Sequence, residues 1–483
     1  MTVSTGAAAA PRGGALPWAA GGGAVAVALV ALLLLGPLVP LGVLAVAGAV
    51  LVAVFAPQLL VALTLVVVVL STPLQSLLGG SASALDDAAV LFCLIALPVR
   101  RLVTAGRLVV LPGSAWFAAF AFLGLLSGRV QDVPVGVLAQ GTFSSVKGLL
   151  LAFAVAQVPW TLEHLRAAVR WGAYLAVLVI ATGAVNLLAP GPWAALLGTT
   201  SSTGPYGLPA LTGIFARPGA FSRFCGILAI AALAHRLVVG RRGPAVPVFA
   251  ACAALALLTL QVKSVVGLLA TVALMCLPFL RRRRALAVLP VLPLAALVLA
   301  PPLVQLVTTD VDRYVVQDSA RSLLTQGGAA VAGETFPLGA GFGRFASATA
   351  ADSYSPWYYQ LGFDHRFGMG PAADSGQFLN DTQWPALYGE AGWLGAACFA
   401  IGLLVMSTHL LRGMRGEPSP LVRWLRLAGA GWMVLLLAES AAAPVFVSAP
   451  NYPFVFLAAA VSAALARRPA APGAARTAGA GTP

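Results

Sequence analysis

Long apolar runs recur along this chain, interrupted by short stretches that carry Pro, Gly or Arg. A helix that crosses a bilayer needs roughly 20 mainly apolar residues. We count 14 candidate segments: 18–36, 39–56, 58–72, 85–99, 108–127, 139–158, 168–188, 221–239, 245–260, 262–280, 285–304, 389–410, 424–443 and 451–466. Some are short or contain Pro, which sets the expected range at 12–14. The pattern changes once, at residues 305–388, a polar, aromatic-rich segment with eight of the 15 acidic residues and five of the eight tyrosines. The chain reads as all-α: a polytopic membrane protein of about 14 transmembrane helices with one long extracytoplasmic loop.

Arginine positions give the orientation, because basic residues in short loops are retained on the cytoplasmic side. The clusters are Arg100, Arg101 and Arg107; Arg166 and Arg170; Arg236, Arg241 and Arg242; Arg281 to Arg284; Arg412, Arg415, Arg423 and Arg426; and Arg467 and Arg468. With 14 spans, every cluster falls on the face of the N-terminus. Both termini are then cytoplasmic, and 72–86, 128–138, 189–220 and 305–388 lie outside. Residues 1–304 hold the first eleven spans with the shorter external loop 189–220, 305–388 the long loop, and 389–466 the last three spans. Residues 467–483 form an Ala/Pro/Gly-rich tail expected to be disordered in the cytoplasm. The run after Arg12 has signal-peptide composition, but the spans behind it favour an uncleaved first helix.

Composition excludes a water-soluble globule: 60% of residues are apolar and only 9% charged. The net charge of +14 reports topology, and no basic soluble face offers itself to nucleic acid. Cys93, Cys225, Cys252, Cys276 and Cys398 all fall within expected spans, so neither a disulfide framework nor a cysteine metal site is indicated.

The candidate chemistry gathers on the external side. GIFARPGAFSRF places Arg217 and Arg223 at the outer end of the eighth span, against the topological bias. A guanidinium fork suits phosphate, and a helix start adds backbone donors. The alternative is an interfacial arginine that snorkels to headgroups. Lys263 lies in the outer turn of LTLQVKSVVG, as a headgroup anchor or a second phosphate ligand. Lys147 falls inside the sixth span, where it needs an external acid or a ligand phosphate as counter-ion. The long loop adds Arg313, Arg321 and Arg344 amid Asp310, Asp312, Asp318 and Glu334. An Asp–Arg313 link explains Asp310 and Asp312 better than a metal, and the glycines of GAGFGRF shape a turn, since no strand precedes them. Trp357, Tyr358, Tyr359 and Trp384 either stack on sugars or belt the interface. His365 lies beside Asp364, and a histidine with a neighbouring carboxylate suits a general base; a solvated loop histidine is the plainer reading. Asp381 and Glu390 flank the start of the twelfth span, with Glu390 placed to cap that helix or hold an arginine.

These pieces, in order, resemble the O-antigen ligase and Wzy-type polysaccharide polymerase superfamily of integral membrane glycosyltransferases. IFARPGAFSRFCGILAI is similar to the family's Arg-Pro-Gly segment, LTLQVKSVVGLLA to its basic turn, ARSLLTQGGAAVAGETFPLGAGFGRF to the Arg and Pro-Leu-Gly-x-Gly segment, and NDTQWPALYGEAGWLGA to the Glu-x-Gly-x-x-Gly stretch. The resemblance spans about residues 140–410. It implies transfer of a glycan from an undecaprenyl-pyrophosphate-linked oligosaccharide to a glycan or other hydroxyl acceptor at the outer face of the bilayer. No metal or other cofactor is implied; a chain-length regulator or flippase is a possible partner, and nucleic acid is not one. Carried over by position, Arg217 and Arg321 look like the pyrophosphate-binding arginines with Lys263 assisting, and Arg223 and Arg313 stand nearby in sequence. Many ligases have a His-Asn pair where this chain has Asn380-Asp381-Thr382. The base is then Asp381 in place or His365 from upstream, with Glu390 the third acid–base candidate, and the departure leans toward polymerase over ligase. Trp357, Tyr358 and Trp384 are the candidate sugar platforms.

Two other classes stand beside this reading. A lipid-linked oligosaccharide flippase or other secondary transporter also fits 14 spans, although transporters usually show internal repeats and midplane polar residues. A metal-dependent transferase would use Asp86 and Asp87, a pair that equally suits a helix N-terminus.

Overall fold

The computed structural model describes residues 38–78, 84–197, 207–215, 217–240, 243–279, 319–372 and 375–466. The described residues form helices and no β-strand. The helices are α1 (Leu38–Phe55), α2 (Pro57–Val69), α3 (Ser71–Leu78), α4 (Leu85–Ala105), α5 (Ser114–Val130), α6 (Val135–Ala156), α7 (Leu162–Leu188), α8 (Pro190–Leu196) and α9 (Pro218–Val238). They continue with α10 (Ala245–Leu258), α11 (Val262–Cys276), α12 (Ala320–Glu334), α13 (Ala348–Asp352), α14 (Pro356–Gln360), α15 (Trp384–Arg412), α16 (Pro420–Glu439) and α17 (Tyr452–Ala466).

Among the described residues, seven helices are long and apolar enough to cross a membrane: α4, α6, α7, α9, α11 with its following turn, α15 and α16. Five shorter apolar helices, within α1 and at α2, α5, α10 and α17, complete a set at the positions of twelve expected spans. The expected spans at 18–36 and 285–304, Arg313 and the tail at 467–483 lie outside the described residues. The chain is an all-α, multi-pass membrane protein. Local chemistry starts these helices where the sequence permits: proline occupies the first turn of α2, α8, α9, α14, α15 and α16, where its missing N–H has no helical partner to lose. Thr161 caps α7, accepting from the His164 N–H while the His164 ring accepts from the Thr161 N–H.

Packing fixes the direction of the helices. Along α9 and α16, Trp424 donates to the Ala231 carbonyl at 2.9 Å, Trp432 to Ile227 at 2.8 Å, and Arg223 reaches Glu439 at 3.3 Å, so the two helices run antiparallel. Helices α5 and α15 approach through glycine: a Cβ at Gly402 would lie 2.6 Å from the Phe117 ring. Small residues let backbones close in where lipid supplies no hydrophobic drive for helix association. The result is a bundle with two unlike ends. One gathers Arg100, Arg101, Arg166, Arg170, Arg236, Arg412, Arg415, Arg423 and Arg426; the other carries a folded cap.

The stretch expected as a long loop, 305–388, is folded over its described part into the cap. Its described part, from Ser319, holds α12, α13 and α14 around a core of its own built on Leu324, Val331, Phe345, Tyr358, Phe363, Met369 and Leu379, and α15 already begins at Trp384. The glycine-rich stretch 339–345 threads from the cap between α5, α6 and α15. Ser127 on α5 hydrogen-bonds the Gly339 backbone, and the amides of Ala340 and Gly341 donate to the carbonyls of Gly389 at 2.8 Å and Glu390 at 2.9 Å. Those carbonyls are withdrawn from the ladder of α15, which breaks at Gly392 with φ 72 and ψ 174, a conformation only glycine adopts freely. A side chain there would also press within 2.6 Å of the Leu338 carbonyl.

Glu390 fastens this insertion. Its Oε1 accepts from the amides of Gly343 at 2.9 Å, Arg344 at 3.0 Å and Phe345 at 3.2 Å, and from the Ser347 hydroxyl at 2.6 Å. Glu390, one of the expected acid–base candidates, is thus 1% exposed, and its Oε1 accepts from four donors. Replacing Glu390 by Ala strands three buried amides, and should lower unfolding stability by on the order of 3 kcal/mol, measured by thermal melting of the purified protein in detergent. Gly392→Ala should fail more severely, yielding little folded protein by size-exclusion chromatography.

Candidate functional site

Three cations from separate parts of the chain converge where the cap meets the bundle. Arg223 lies in the second turn of α9, Lys263 in the first turn of α11, and Arg321 in the first turn of α12. Each is positioned by its own element. A tight turn with Leu260 at φ 52 sends the chain from α10 into α11 and delivers Lys263 to the capped end. Ser319 caps α12 by accepting from the Ser322 amide at 3.2 Å, which fixes the helix start that carries Arg321.

The surrounding groups are acids and one carbonyl. Arg223 Nη1 pairs with Glu439 Oε2 at 3.3 Å, and Arg321 Nη2 with Asp381 Oδ2 at 2.9 Å. Lys263 Nζ donates to the Ala442 carbonyl at 2.8 Å and lies within electrostatic reach of Arg223, Arg321, Glu439 and Asp381. Among the described residues, the cluster brings together three cations and two carboxylates. The two pairs differ in access: Glu439 is 0% and Arg223 11% exposed, whereas Arg321 and Asp381 are each 25% exposed. The segment after α16 is tied to the start of α15 by Trp384 donating to Ser440 Oγ at 2.9 Å and by the Phe446 amide donating to Gln383 Oε1 at 3.1 Å. Asp381 thus stands on a stretch anchored immediately beyond it.

The other expected site residues are placed elsewhere. Arg217 is the N-cap residue of α9 and is exposed, without an ion pair among the described residues. His365 is 87% exposed and sits 3.4 Å from Asp364; no hydrogen bond or ion pair among the described residues joins it to the cation cluster. Tyr358, an expected sugar platform, is wholly buried in the cap core, its hydroxyl accepts from the Ala346 amide at 2.9 Å, and burial drives its phenol upward in pKa. Trp357 is half-buried against that core, and Trp384 half-buried with its N–H committed to Ser440. Phe336, Tyr359 and Phe367 are exposed aromatics of the cap. Nearby, burial pushes the Tyr354 phenol up to about 12, helped by Asp364 and Tyr359, and also raises the Asp352 carboxyl.

Lys147 finds its counter-ions in Asp87 at 3.0 Å and Asp86 at 3.4 Å, with its ammonium 5.5 Å from the Tyr452 ring centre. The acidic pair proposed for a metal is thereby engaged, and no group of three or more potential metal ligands occurs among the described residues. Sequence reasoning missed Glu439. The available signal was a lone acid at the end of an apolar run, because a charge in such a setting requires a partner.

No protein-family model matches this chain. No curated protein matches it at a meaningful level of similarity either.

The difference in burial separates the two arginines. Arg223→Ala leaves the Glu439 carboxylate buried without its partner and should cost about 3–5 kcal/mol, whereas Arg321→Ala should cost about 1 kcal/mol or less. Thermal melting of the two variants in the same detergent measures the contrast.

Proposed function

We propose that the chain is a membrane glycosyltransferase of cell-surface polysaccharide assembly, acting on undecaprenyl-pyrophosphate-linked glycan units at the extracytoplasmic face, as a polymerase in preference to a ligase. The observation that carries this reading is the convergence of Arg223, Lys263 and Arg321 at the foot of the cap. A diphosphate leaving group gains negative charge as the glycosidic bond breaks, and fixed cations aimed at that charge lower the barrier. The ordered motifs that resemble the O-antigen ligase and Wzy-type polymerase superfamily supply three of these same positions. The finer topology belongs to the proposal: 14 spans, both termini cytoplasmic, and the cap outside. The crowding of arginines at the opposite end of the bundle supports that orientation.

In this reading the acceptor hydroxyl attacks the anomeric carbon directly, with inversion, while the cations hold the departing diphosphate. Asp381 is the acid nearest the cations that retains access to solvent, which favours it over His365 as the base. A transporter or flippase is the second reading, favoured by the Lys147–Asp86–Asp87 triad, since charges inside spans commonly mark transport pathways.

The test is glycan length and lipid-linked intermediates in cells carrying Arg321→Ala, beside wild type and a deletion strain. Loss of polymer, single units accumulating on the extracytoplasmic carrier and normal protein level are expected. Polymer retained on the carrier indicates a ligase, and units trapped on the cytoplasmic face indicate the flippase. Unchanged glycan removes Arg321 from the site.

A further inference from the structure

A second group of charges stands on other elements than the cation cluster, where the start of α17 meets α4 and α6. Lys147 Nζ pairs with Asp87 Oδ1 at 3.0 Å and more loosely with Asp86 Oδ2 at 3.4 Å. The shorter bond goes to the acid that water already reaches, since the Asp87 side chain is 38% exposed and that of Asp86 only 8%. One ammonium serves two carboxylates, and the less well served of them is the buried one. Tyr452 closes the group from α17. Its side chain is wholly buried, its ring centre stands 5.5 Å from the Lys147 ammonium, and its hydroxyl lies within electrostatic reach of Asp86, Asp87 and Cys93. That hydroxyl has no hydrogen-bond partner among the described residues. The ring has little room to turn toward one, because α6 comes so close at Gly148 that a Cβ there would lie 3.0 Å from it. Two turns further along α4, Cys93 and Thr64 bond each other at 3.1 Å, so their polar atoms are already engaged. A buried hydroxyl without a partner is costly to hold, and here it stands beside a buried carboxylate that is only loosely paired.

We propose that Asp86 and the Tyr452 hydroxyl, with Asp87 at the mouth, form a binding site for a monovalent metal cation at the capped end of the bundle. The ligand chemistry follows from the groups present. A hard cation takes oxygen ligands, and the carboxylates of α4 and the phenol oxygen of α17 supply them. Two carboxylates against one ammonium leave one negative charge among these residues, which a monovalent ion balances and a divalent ion exceeds. Lys147 stays on Asp87, the partner it already holds more closely, while the ion takes Asp86 and the hydroxyl. Asp87, open to water, marks the side from which the ion enters. Once seated, the ion fastens the start of α17 to the start of α4. The connection from α16 to α17 carries Ala442, whose carbonyl receives Lys263, so the ion steadies the far end of the segment that holds this lysine. The inference does not rest on the diphosphate reading above.

The experiment melts the full chain in lipid nanodiscs in sodium chloride, potassium chloride or N-methylglucamine chloride at equal ionic strength, the organic cation being too large for the site. A ligand that binds only the folded chain stabilises it by mass action, so sodium or potassium should raise the melting midpoint by roughly 2–4 °C over N-methylglucamine. Each variant is compared with itself across the salts, which removes any change in its own baseline stability. Asp86→Asn should abolish the rise. Tyr452→Phe, which deletes one oxygen and keeps the ring, should abolish most of it. Lys147→Gln removes the competing ammonium and should lower the half-saturating concentration of the favoured ion roughly three- to tenfold. Wild type that melts alike in all three salts overturns the site, and a rise that survives Asp86→Asn or Tyr452→Phe overturns the assignment of its ligands. A midpoint that follows pH and ignores the metal ion marks a proton as the ligand and overturns the metal-cation reading. None of these outcomes depends on the transfer reaction.

Discussion

The carboxylate of Glu390 is the pin on which the cap hangs. A glycine-rich strand of chain that enters a helical bundle brings amides into a space without water, and unsatisfied amides there cost several kcal/mol each on the order expected in hydrocarbon. One oxygen of Glu390 meets three successive amides and a hydroxyl, while two more amides find carbonyls released by the break at Gly392. The kink and the insertion are one event: a regular α15 would have no carbonyls to offer, and an unbroken cap segment would have no place to dock. From this junction the cap core extends through Phe345 to Leu324 on α12 and to Leu379, just ahead of Asp381. The positions of Arg321 and Asp381 therefore descend from a carboxylate that touches neither.

The bundle contributes the other half of the cluster by a different rule. Arg223 and Glu439 meet because two tryptophans tie α9 to α16 in antiparallel register, and the register puts the start of one helix beside the end of the other. Lys263 joins them because the short turn after α10 leaves its helix nowhere else to begin, and its amine finds the Ala442 carbonyl. The Arg223–Glu439 pair is deeply buried, whereas Arg321 and Asp381 each keep a quarter of their side-chain surface exposed, so the two pairs of one cluster differ in burial.

Much of the fold was readable from hydropathy, because the apolar runs at 85–99, 262–280 and 424–443 are long and their flanks carry Arg or Pro. Arg223, Lys263 and Arg321 were readable for a related reason: each sits where the orientation set by the arginine clusters leaves a cation unexplained. Glu439 was not, since averaging over the apolar run around it hides one acid. The surroundings of Glu390 and Tyr358 were not readable, because residue type carries no direction. A carboxylate beside a glycine-rich segment looks the same in sequence whether it faces substrate or a nest of amides, and Trp357-Tyr358-Tyr359 gives no sign of which ring turns inward. Their roles depend on contacts 43 to 47 residues away for Glu390 and 12 for Tyr358, distances that no local pattern reports.

The cation cluster is where the architecture places its charges. An uncompensated cation beside a low-dielectric bundle is held against its solvation. Among the described residues, Glu439 and Asp381 pair with Arg223 and Arg321, and Lys263 donates to the Ala442 carbonyl. Flanked by Arg223 and Arg321, it adds to a positive potential that already exists, so each cation makes the next harder to hold without an anion. The arrangement persists because packing elsewhere stabilises it: the tryptophan ties of α16 on one side and the Glu390 clamp on the other. Stability built at those two places, away from the charges, is what holds three cations together at the junction of cap and bundle.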